Sequence, residues 1–333
     1  MATYERQRYL LMTTDPVHIG TGGYRLGRVD NSIVREPGTK IPKIPGTSLH
    51  GAARSYAAQL YETPEAAGQS QEKVETPDKN PVCYTFGYLK KDKKENPGDE
   101  DKTIAYSGVV NIFDAQVLLF PVHSMAGPVW VSTAGRLEEA GFGKNPEPAD
   151  GAALLSWERT DDLNLGWLMV SVGGKATVTA PDKWKDQSRW QAVQNRIVLV
   201  QDALFSQVVN SNLEVRTSVA IDPERGAAED KALFTYEALP RTTFLTAEVV
   251  LDDYRSDKNG WPLGEVKETG KKGSDGQSNP LPGGPWKGPL DVTKAGLRMI
   301  EWLGVGGMGT RGFGRMAMVG EPLSQKFGEE AWQ

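Results

Sequence analysis

Cysteine and histidine are scarce in this chain: one cysteine, Cys83, and three histidines occur among 333 residues. A lone cysteine excludes a disulfide scaffold and a cysteine-rich zinc site, and it is typical of a reducing compartment. The histidines at positions 18, 50 and 123 have none of the short spacings found between paired metal ligands. The sequence therefore predicts no structural zinc centre.

Long hydrophobic runs are also missing. No apolar stretch approaches the ~20 residues that a helix needs to span a bilayer. The N-terminus, MATYERQRYLLMTTD, lacks the long apolar segment and the small-residue cleavage site of a secretory signal. These absences predict a cytoplasmic protein that has no membrane partner.

Basic residues are fewer than acidic residues over the whole chain, yet they outnumber acidic residues near the N-terminus. The chain has 38 Lys and Arg residues against 43 Asp and Glu residues, a net charge of −5. Residues 1–54 reverse this balance, with eight basic and four acidic side chains. If the ligand is a nucleic acid, a local basic surface must supply the phosphate contacts, because the overall charge opposes binding.

The spacing of apolar residues predicts both strands and helices. A helix is predicted from about Thr47 to Leu60, since apolar residues recur there at the i, i+3, i+4 and i+7 positions of one buried face. The other predicted elements are a strand over 7–14, strands within 105–120 and 196–202, a β-hairpin over 214–239, a helix over 292–303 and a last strand near 316–320.

These elements do not follow a regular βαβ alternation, which predicts an α+β fold with an antiparallel sheet. Residues 62–104 are polar and highly charged, and we expect them to form a lid-like insertion. Residues 252–290 are rich in glycine, proline and charge, and are predicted to form a second long loop. The hairpin, with its charged tip DPERG, would suit a projecting thumb.

A glycine-rich segment near the C-terminus, GVGGMGTRGFGR, contains six glycines and two arginines. Its order of helix, glycine loop and strand is the reverse of that in a P-loop or a dinucleotide site. A helix C-cap explains the first glycines, so RNA contact and a structural turn both remain open. The candidate RNA-binding residues here are Arg311, Gly312, Phe313, Gly314 and Arg315.

A second set of candidates joins the loop HIGTGG to the helix start in KIPKIPGTSLHGAAR. Ser or Thr at a helix start is usually an N-cap. A helix N-terminus among cations also favours anions, including RNA phosphates. The predicted RNA-binding residues of this segment are Gly20, Gly22, Gly23, Lys43, Thr47, Ser48, His50 and Arg54.

Asp30 is the one acid in GRVDNSIVR, where it lies between Arg28 and Arg35. For a single aspartate, a surface salt bridge or a turn is the ordinary role. A catalytic role requires a ligand that brings its own reacting group, because no second acid, cysteine or paired histidine is nearby. Both roles remain open on the residues alone.

The chain resembles the RAMP-superfamily backbone subunit of the type III-B CRISPR effector, the Cmr complex, in its target-cleaving form. The similarity extends from residue 9 to residue 316. The C-terminal glycine motif is shared by many RAMP proteins, whereas the Asp30 segment combined with LLFPVHSMAGPVWV is specific to this subunit. The similar segments are HIGTGG, GRVDNSIVRE, KIPKIPGTSLHGAAR, VVNIFDAQVLLFPVHSMAGPVWVST, RIVLVQDALFSQVV, ALFTYEALPRTTF and GTRGFGR.

The resemblance implies a single RAMP domain over residues 1–333, with an RRM-like (ferredoxin-like) core, a lid and a β-hairpin thumb over 211–239. It implies a subunit that forms a filament on CRISPR RNA (crRNA) with further copies of itself and with other Cmr subunits. It also implies an endoribonuclease that cuts complementary target RNA at regular intervals, with Mg²⁺ or Mn²⁺ as the cofactor.

Asp30 matches the catalytic aspartate of the family, and the resemblance assigns it a role in cleavage, in which its carboxylate would either hold a metal ion or assist proton transfer. His18, Tyr236 and Glu237 are implied as supporting residues. One departure concerns the helix start, where relatives usually have Ser-Leu-Lys-Gly and this chain has His50 in place of the lysine. With an ordinary pKa of about 6.5, His50 would contact phosphate more weakly than lysine at neutral pH.

Two alternatives remain at this stage. The first is a non-catalytic scaffolding subunit that binds crRNA in the same type of complex, with an inert Asp30. The second is a stand-alone RAMP endonuclease that processes precursor crRNA. Such enzymes commonly use general acid–base residues, and the scarcity of histidine disfavours that hypothesis.

Overall fold

The computed structural model describes residues 4–22, 29–68, 73–92, 102–255, 261–329 and 332. Its strands are β1 (Tyr4–Thr13), β2 (Lys43–Ile44), β3 (Gly87–Asp92), β4 (Lys102–Ser107), β5 (Val110–Ile112), β6 (Ala115–Ser124), β7 (Gly127–Ser132), β8 (Ala152–Leu155), β9 (Leu163–Leu165), β10 (Leu168–Lys175), β11 (Ile197–Leu199), β12 (Glu214–Asp222), β13 (Ala227–Ala238), β14 (Phe244–Asp252), β15 (Glu268–Lys272), β16 (Ser278–Pro280), β17 (Met316–Met318) and β18 (Leu323–Lys326).

The helices are α1 (Gly46–Leu60), α2 (Pro81–Phe86), α3 (Ala134–Glu139), α4 (Asp182–Lys185), α5 (Ser188–Gln191), α6 (Asp202–Ser211), α7 (Pro289–Arg298) and α8 (Ile300–Leu303). Short 3₁₀ turns cover Pro64–Ala66, Pro77–Lys79, Gln194–Arg196 and Gly309–Arg311. Within the described residues, no helix is both long and apolar enough to cross a membrane.

Twelve of the described strands form one mixed sheet, in the order β17-β1-β14-β6-β7-β11-β8-β10-β9, with β18 beside β1, β2 beside β6 and β5 beside β14. The pairs β1–β14, β1–β17 and β14–β6 are antiparallel. The pairs β7–β11 and β8–β10 are parallel, so the sheet is mixed, and the prediction of an antiparallel sheet was wrong for these pairs. Parallel neighbours need crossover connections, and no element was predicted between residues 120 and 196.

The hydrophobic core lies on both faces of this sheet, as the alternation along β1 requires. Tyr9 and Leu11 point into one cluster, which also contains the buried faces of α1 and α7. Leu10 points into the other cluster, which contains the buried Trp184 and Trp190. Helices α1 and α7 pack backbone to backbone, because a Cβ on Gly296 of α7 would meet the carbonyl oxygen of Ala53 in α1.

Several predicted elements are confirmed: the first strand, the helix from position 46, the strand over Ile197–Leu199 and the hairpin β12–β13. The predicted loop over 252–290 is not entirely irregular, because β15 and β16 pair within it. The predicted lid over 62–104 contains α2, β3 and the first residues of β4, which pairs with β3 and ends at Ser107. Strand β18 was not predicted.

Candidate nucleic-acid interface and active site

The segment around Asp30 attaches to the outer edge of the hairpin. The backbone amide of Asn31 donates to the carbonyl of Thr235 at 3.0 Å, and the amide of Glu237 donates to the carbonyl of Asn31 at 3.0 Å. These bonds make a parallel bridge between Asn31 and Tyr236 on β13. The loop after β1 therefore meets a strand 205 residues further along the chain.

The Asp30 carboxylate is exposed but firmly held. Its Oδ2 accepts hydrogen bonds from the Thr235 amide at 2.7 Å and from the Thr235 hydroxyl at 2.9 Å. The amide and hydroxyl of Thr235 together hold the pKa of Asp30 below its ordinary value. Among the described residues, Oδ1 has no hydrogen-bond partner. The side chain is thus an ionised acceptor at neutral pH with one oxygen available to a ligand.

His18 lies beneath this site and is buried. Its Nδ1 is 2.6 Å from the carbonyl oxygen of Glu237, so we assign the proton to Nδ1, and its ring meets Tyr236 edge-on at 6.1 Å between centroids. Gly20 is close by, because a Cβ there would lie 3.1 Å from His18 Nε2. Within the described part of the chain, no contact joins His18 to Asp30. Its contacts fix the first loop to the base of the hairpin.

Glu237 and Tyr236 also make structural contacts at this base. The Glu237 carboxylate is largely buried and accepts a hydrogen bond from Arg35 Nη2 at 2.7 Å. Arg35 in turn donates to Asn210 of α6 at 3.0 Å. The buried Tyr236 ring packs against Phe313, with 5.4 Å between centroids. The hairpin is therefore joined to the Asp30 segment, to α6 and to the C-terminal glycine-rich segment.

The C-terminal glycine-rich segment packs against the first loop through its backbone. The Gly307 amide donates to the His18 carbonyl at 3.0 Å, and the Gly314 amide donates to the Pro16 carbonyl at 2.8 Å. Gly312 has a positive φ of +80° and open space around it, whereas Phe313 is buried. The close approach of the two loops thus explains Gly306, where a Cβ would meet the first loop, whereas Gly312 is explained by its positive φ alone.

The two arginines of this segment differ. Arg311 is exposed, with its guanidinium 5.6 Å from the centre of the Phe234 ring, which leaves its charge accessible to a ligand. Arg315 pairs with Asp15.

The start of α1 borders two clefts that contain predicted residues. A cleft of about 520 Å³ is lined by Thr47 and His50 together with Phe86 and Phe113. A cleft of about 350 Å³ lies between Ser48 on α1 and the glycine-rich segment up to Phe313. The structure thus brings the helix start and the C-terminal glycines together, although they are far apart in the sequence.

The cations predicted near α1 have partners within the chain. Lys43 Nζ lies 2.8 Å from Glu36 and 2.7 Å from Asp114, which raises the pKa of the lysine. Arg54 donates to the carbonyls of Ala66 and Gly87 at 2.9 and 2.8 Å and so ties α1 to the segment after it.

His50 packs edge-on against Phe86, with 5.1 Å between centroids. Burial, with a smaller contribution from the Arg54 cation, lowers the pKa of His50. It is therefore neutral at pH 7.

One further predicted glycine and one unpredicted threonine belong to the same region. Gly22 has φ +78° with open space around it. Gly23 and Arg28 lie outside the described residues. Thr235 was not predicted from the sequence. The alternation along β13 places it opposite Tyr236, but nothing in the sequence indicates its contact with Asp30.

In the described ranges, no three His, Cys, Asp or Glu side chains converge to hold a metal ion. Asp30, whose Oδ1 has no hydrogen-bond partner among those residues, is compatible with the pattern of Mg²⁺ sites in which one carboxylate acts together with substrate phosphates and water.

Fold and site define a mixed-sheet α+β protein in which an exposed carboxylate lies at the base of a long hairpin and a C-terminal glycine-rich segment packs against the loop after the first strand. The family model of the RAMP superfamily matches residues 10–317, and the chain belongs to this superfamily.

Individual relatives agree with this assignment. The CRISPR system Cmr endoribonuclease Cmr4 of Pyrococcus furiosus is 28% identical over 277 residues, which cover 77% of this chain and 85% of the relative. The fold is similar to a chain in the cryo-EM structure of the type III-B Cmr-beta bound to cognate target RNA, with a TM-score of 0.57, 14% identity and coverage of 94% and 96%. It is also similar to oligomeric Cmr4 from Pyrococcus furiosus, with a TM-score of 0.53, 18% identity and coverage of 99% and 100%.

Proposed function

We propose that this chain is a crRNA-binding backbone subunit of a type III-B (Cmr) effector complex and that it cuts complementary target RNA as an endoribonuclease. The observation that carries the proposal is the exposed, ionised Asp30, held at the hairpin base, with no hydrogen-bond partner on Oδ1 among the described residues. Membership of the RAMP superfamily and the similarity to the Cmr4 endoribonuclease support it. Its partners are crRNA, target RNA, further copies of the chain and other Cmr subunits.

The order of elements supports an RRM-like core. The elements β1, α1, β6, β14, α7 and β17 follow one another along the chain, and their strands lie in the order β17-β1-β14-β6, with antiparallel neighbours. This is the order of a βαββαβ ferredoxin-like unit with two helices on one face. The lid, the hairpin thumb and the loop over 252–290 are then insertions into that core.

The chemistry needs few protein side chains, because the nucleophile belongs to the RNA. The 2′-oxygen of the target attacks the neighbouring phosphorus and forms a 2′,3′-cyclic phosphate, while the bond to the 5′-oxygen breaks and that oxygen takes up a proton. A backbone held in line for attack supplies much of the rate. Asp30 Oδ1, as an ionised acceptor, is suited to orient the 2′-hydroxyl or accept its proton.

Mg²⁺ or Mn²⁺ is the proposed cofactor, and Asp30 Oδ1 would then hold the ion instead of accepting the proton. When bound, such an ion neutralises charge that develops on the phosphate. The single cysteine and the crRNA partner also support a cytoplasmic location.

A scaffolding role without catalysis is the second candidate, and one observation favours it. The Thr235 amide points away from β12 at the strand edge, and Asp30 Oδ2 satisfies it. Capping an edge donor is a sufficient structural reason for an aspartate at this position.

Paired variants separate the two roles, since an amide can keep the hydrogen bonds that a methyl group cannot. In the assembled complex with Mg²⁺ or Mn²⁺, we expect D30N to keep Thr235 as a donor partner, to assemble normally and to lose target cutting. D30A is expected to lose cutting and to weaken the hairpin base as well. D182N, at an exposed aspartate far along the sequence, serves as the control and keeps full cutting. If D30N cuts target RNA normally, the catalytic role of Asp30 is excluded and the scaffolding role remains.

A further inference from the structure

Thr235 contacts Asp30 through three hydrogen bonds. Its amide and hydroxyl donate to the same oxygen, Oδ2, at 2.7 and 2.9 Å, and its hydroxyl accepts from the Asp30 amide at 3.1 Å. We infer that Thr235 is a positioning residue that fixes the Asp30 carboxylate for cleavage, an inference that rests on the proposed function.

Two donors on one oxygen determine how the carboxylate is turned. A single hydrogen bond would leave the carboxyl group free to rotate about its terminal torsion, which has a broad energy profile. The second donor restricts that rotation and directs Oδ1 away from β13. Reaction rates depend steeply on such placement, because an error of about 1 Å can cost roughly 100-fold.

The face of the hairpin that carries Thr235 is open to a ligand. Pairing of β12 with β13 places Val219 and Leu233 on this face, two residues further from the base. Their side chains are 41% and 64% exposed. Tyr236 points to the opposite face, where it packs against Phe313. A bound RNA strand can therefore reach Asp30 along the Thr235 face without displacing the packed cluster.

A purely structural account of Thr235 makes a different prediction from the positioning account. The backbone amide alone satisfies the strand edge, and replacing the hydroxyl with a methyl group leaves that bond in place. Valine has the β-branched shape that suits a strand. If Thr235 only completes the strand edge, the T235V substitution changes little.

The test uses the complete complex with guide RNA and measures single-turnover cutting together with target affinity. We expect T235V to cut about 10-fold more slowly, with a target Kd within about 2-fold of the parent value. T235S, which keeps the hydroxyl, should restore cutting. T103V, the same substitution on the exposed strand β4, is the matched control and should cut normally.

Each outcome is informative when D30N is assayed alongside. If D30N is inactive and T235V cuts at the parent rate, the positioning role is overturned and the catalytic role of Asp30 stands. If D30N cuts normally, the catalytic role fails, and the positioning role fails with it. If T235V and T235S lose target affinity or assembly equally, Thr235 is structural and the inference is overturned.

Discussion

Two positions in the C-terminal segment require glycine for different physical reasons. Gly306 has φ +86°, and a Cβ there would meet Ile19 Cδ1 and lie 2.6 Å from the His18 carbonyl oxygen. Gly312 has a similar φ of +80°, yet a Cβ added there would have no neighbouring atom within 4 Å. The first glycine is needed for both conformation and space, the second for conformation alone.

This contrast predicts unequal losses of stability. Alanine in the left-handed region costs roughly 1–2 kcal/mol, and we expect G312A to lower the free energy of unfolding by about that amount. G306A adds a backbone clash, so the expected loss is about 2–4 kcal/mol. Urea unfolding of the two purified variants measures the difference. Equal losses would mean that the first loop moves aside for the extra methyl group.

At the scale of elements, helix α1 is tethered from outside its own sequence. Pro45 precedes the helix and gives no side-chain cap. Instead, Asp114, between β5 and β6, accepts a hydrogen bond from the Gly46 amide at 2.8 Å and pairs with Lys43. Burial raises the pKa of Asp114, but the bonds from Lys43 and Gly46 outweigh it and hold the pKa below its ordinary value.

The bonds of Asp114 with Gly46 and Lys43 predict that the melting temperatures of the parent and D114N differ by an amount that depends on pH. An aspartate with a lowered pKa in the folded state stabilises that state above the unfolded pKa of about 3.9, and this contribution is lost as the pH falls through the folded pKa. D114N should therefore melt at a lower temperature than the parent at pH 7, and the gap should close below about pH 4.

Thermal melts across pH measure this gap, with D182N as the control. Asp182 pairs with Lys185 at the surface, where its side chain is 91% exposed. Such pairs contribute little, so D182N should follow the parent at every pH. If the difference in melting temperature between D114N and the parent stays constant down to acidic pH, the stabilising role of the ionised Asp114 is contradicted.

For the whole molecule, the balance of charge limits how it can bind RNA. The net charge is −5, and several cations near the proposed interface already have partners, among them Lys43, Arg54 and Arg315. Arg311 is exposed and close to Phe234. The described cations near this interface can therefore neutralise few phosphates, and we expect the clefts beside α1 and the backbone amides to contribute to binding.

This predicts a shallow salt dependence of RNA binding by the purified chain. We expect the slope of log K against log salt to be about −2, as for roughly three neutralised phosphates on a single strand. The double variant E36Q/D114N removes both acidic partners of Lys43 and should steepen the slope by about 0.7. Fluorescence anisotropy between about 50 and 200 mM salt measures both slopes. An unchanged slope in the double variant would show that Lys43 stays away from RNA.

Prediction from the sequence was most successful where the pattern is local. The helix over Gly46–Leu60 and the hairpin β12–β13 are confirmed because their periodicity and turn residues lie within one short segment. The parallel pairs β7–β11 and β8–β10 were missed because register between distant strands depends on crossovers that periodicity does not encode. The contacts of Lys43 and Arg54, which were predicted to bind RNA, could not be predicted, since their partners Asp114 and Phe86 come from other segments.

The sequence by itself determined the superfamily, the concentration of basic residues near the N-terminus and the choice of Asp30 as the candidate catalytic acid. These follow from residue types and short motifs, which need no long-range contact. Only the tertiary structure decided that Asp30 meets Thr235 across 205 residues, with both donors of Thr235 on one carboxylate oxygen. That pairing arises because the loop after β1 joins the edge of a strand formed much later in the chain, and only folding brings those backbone groups together.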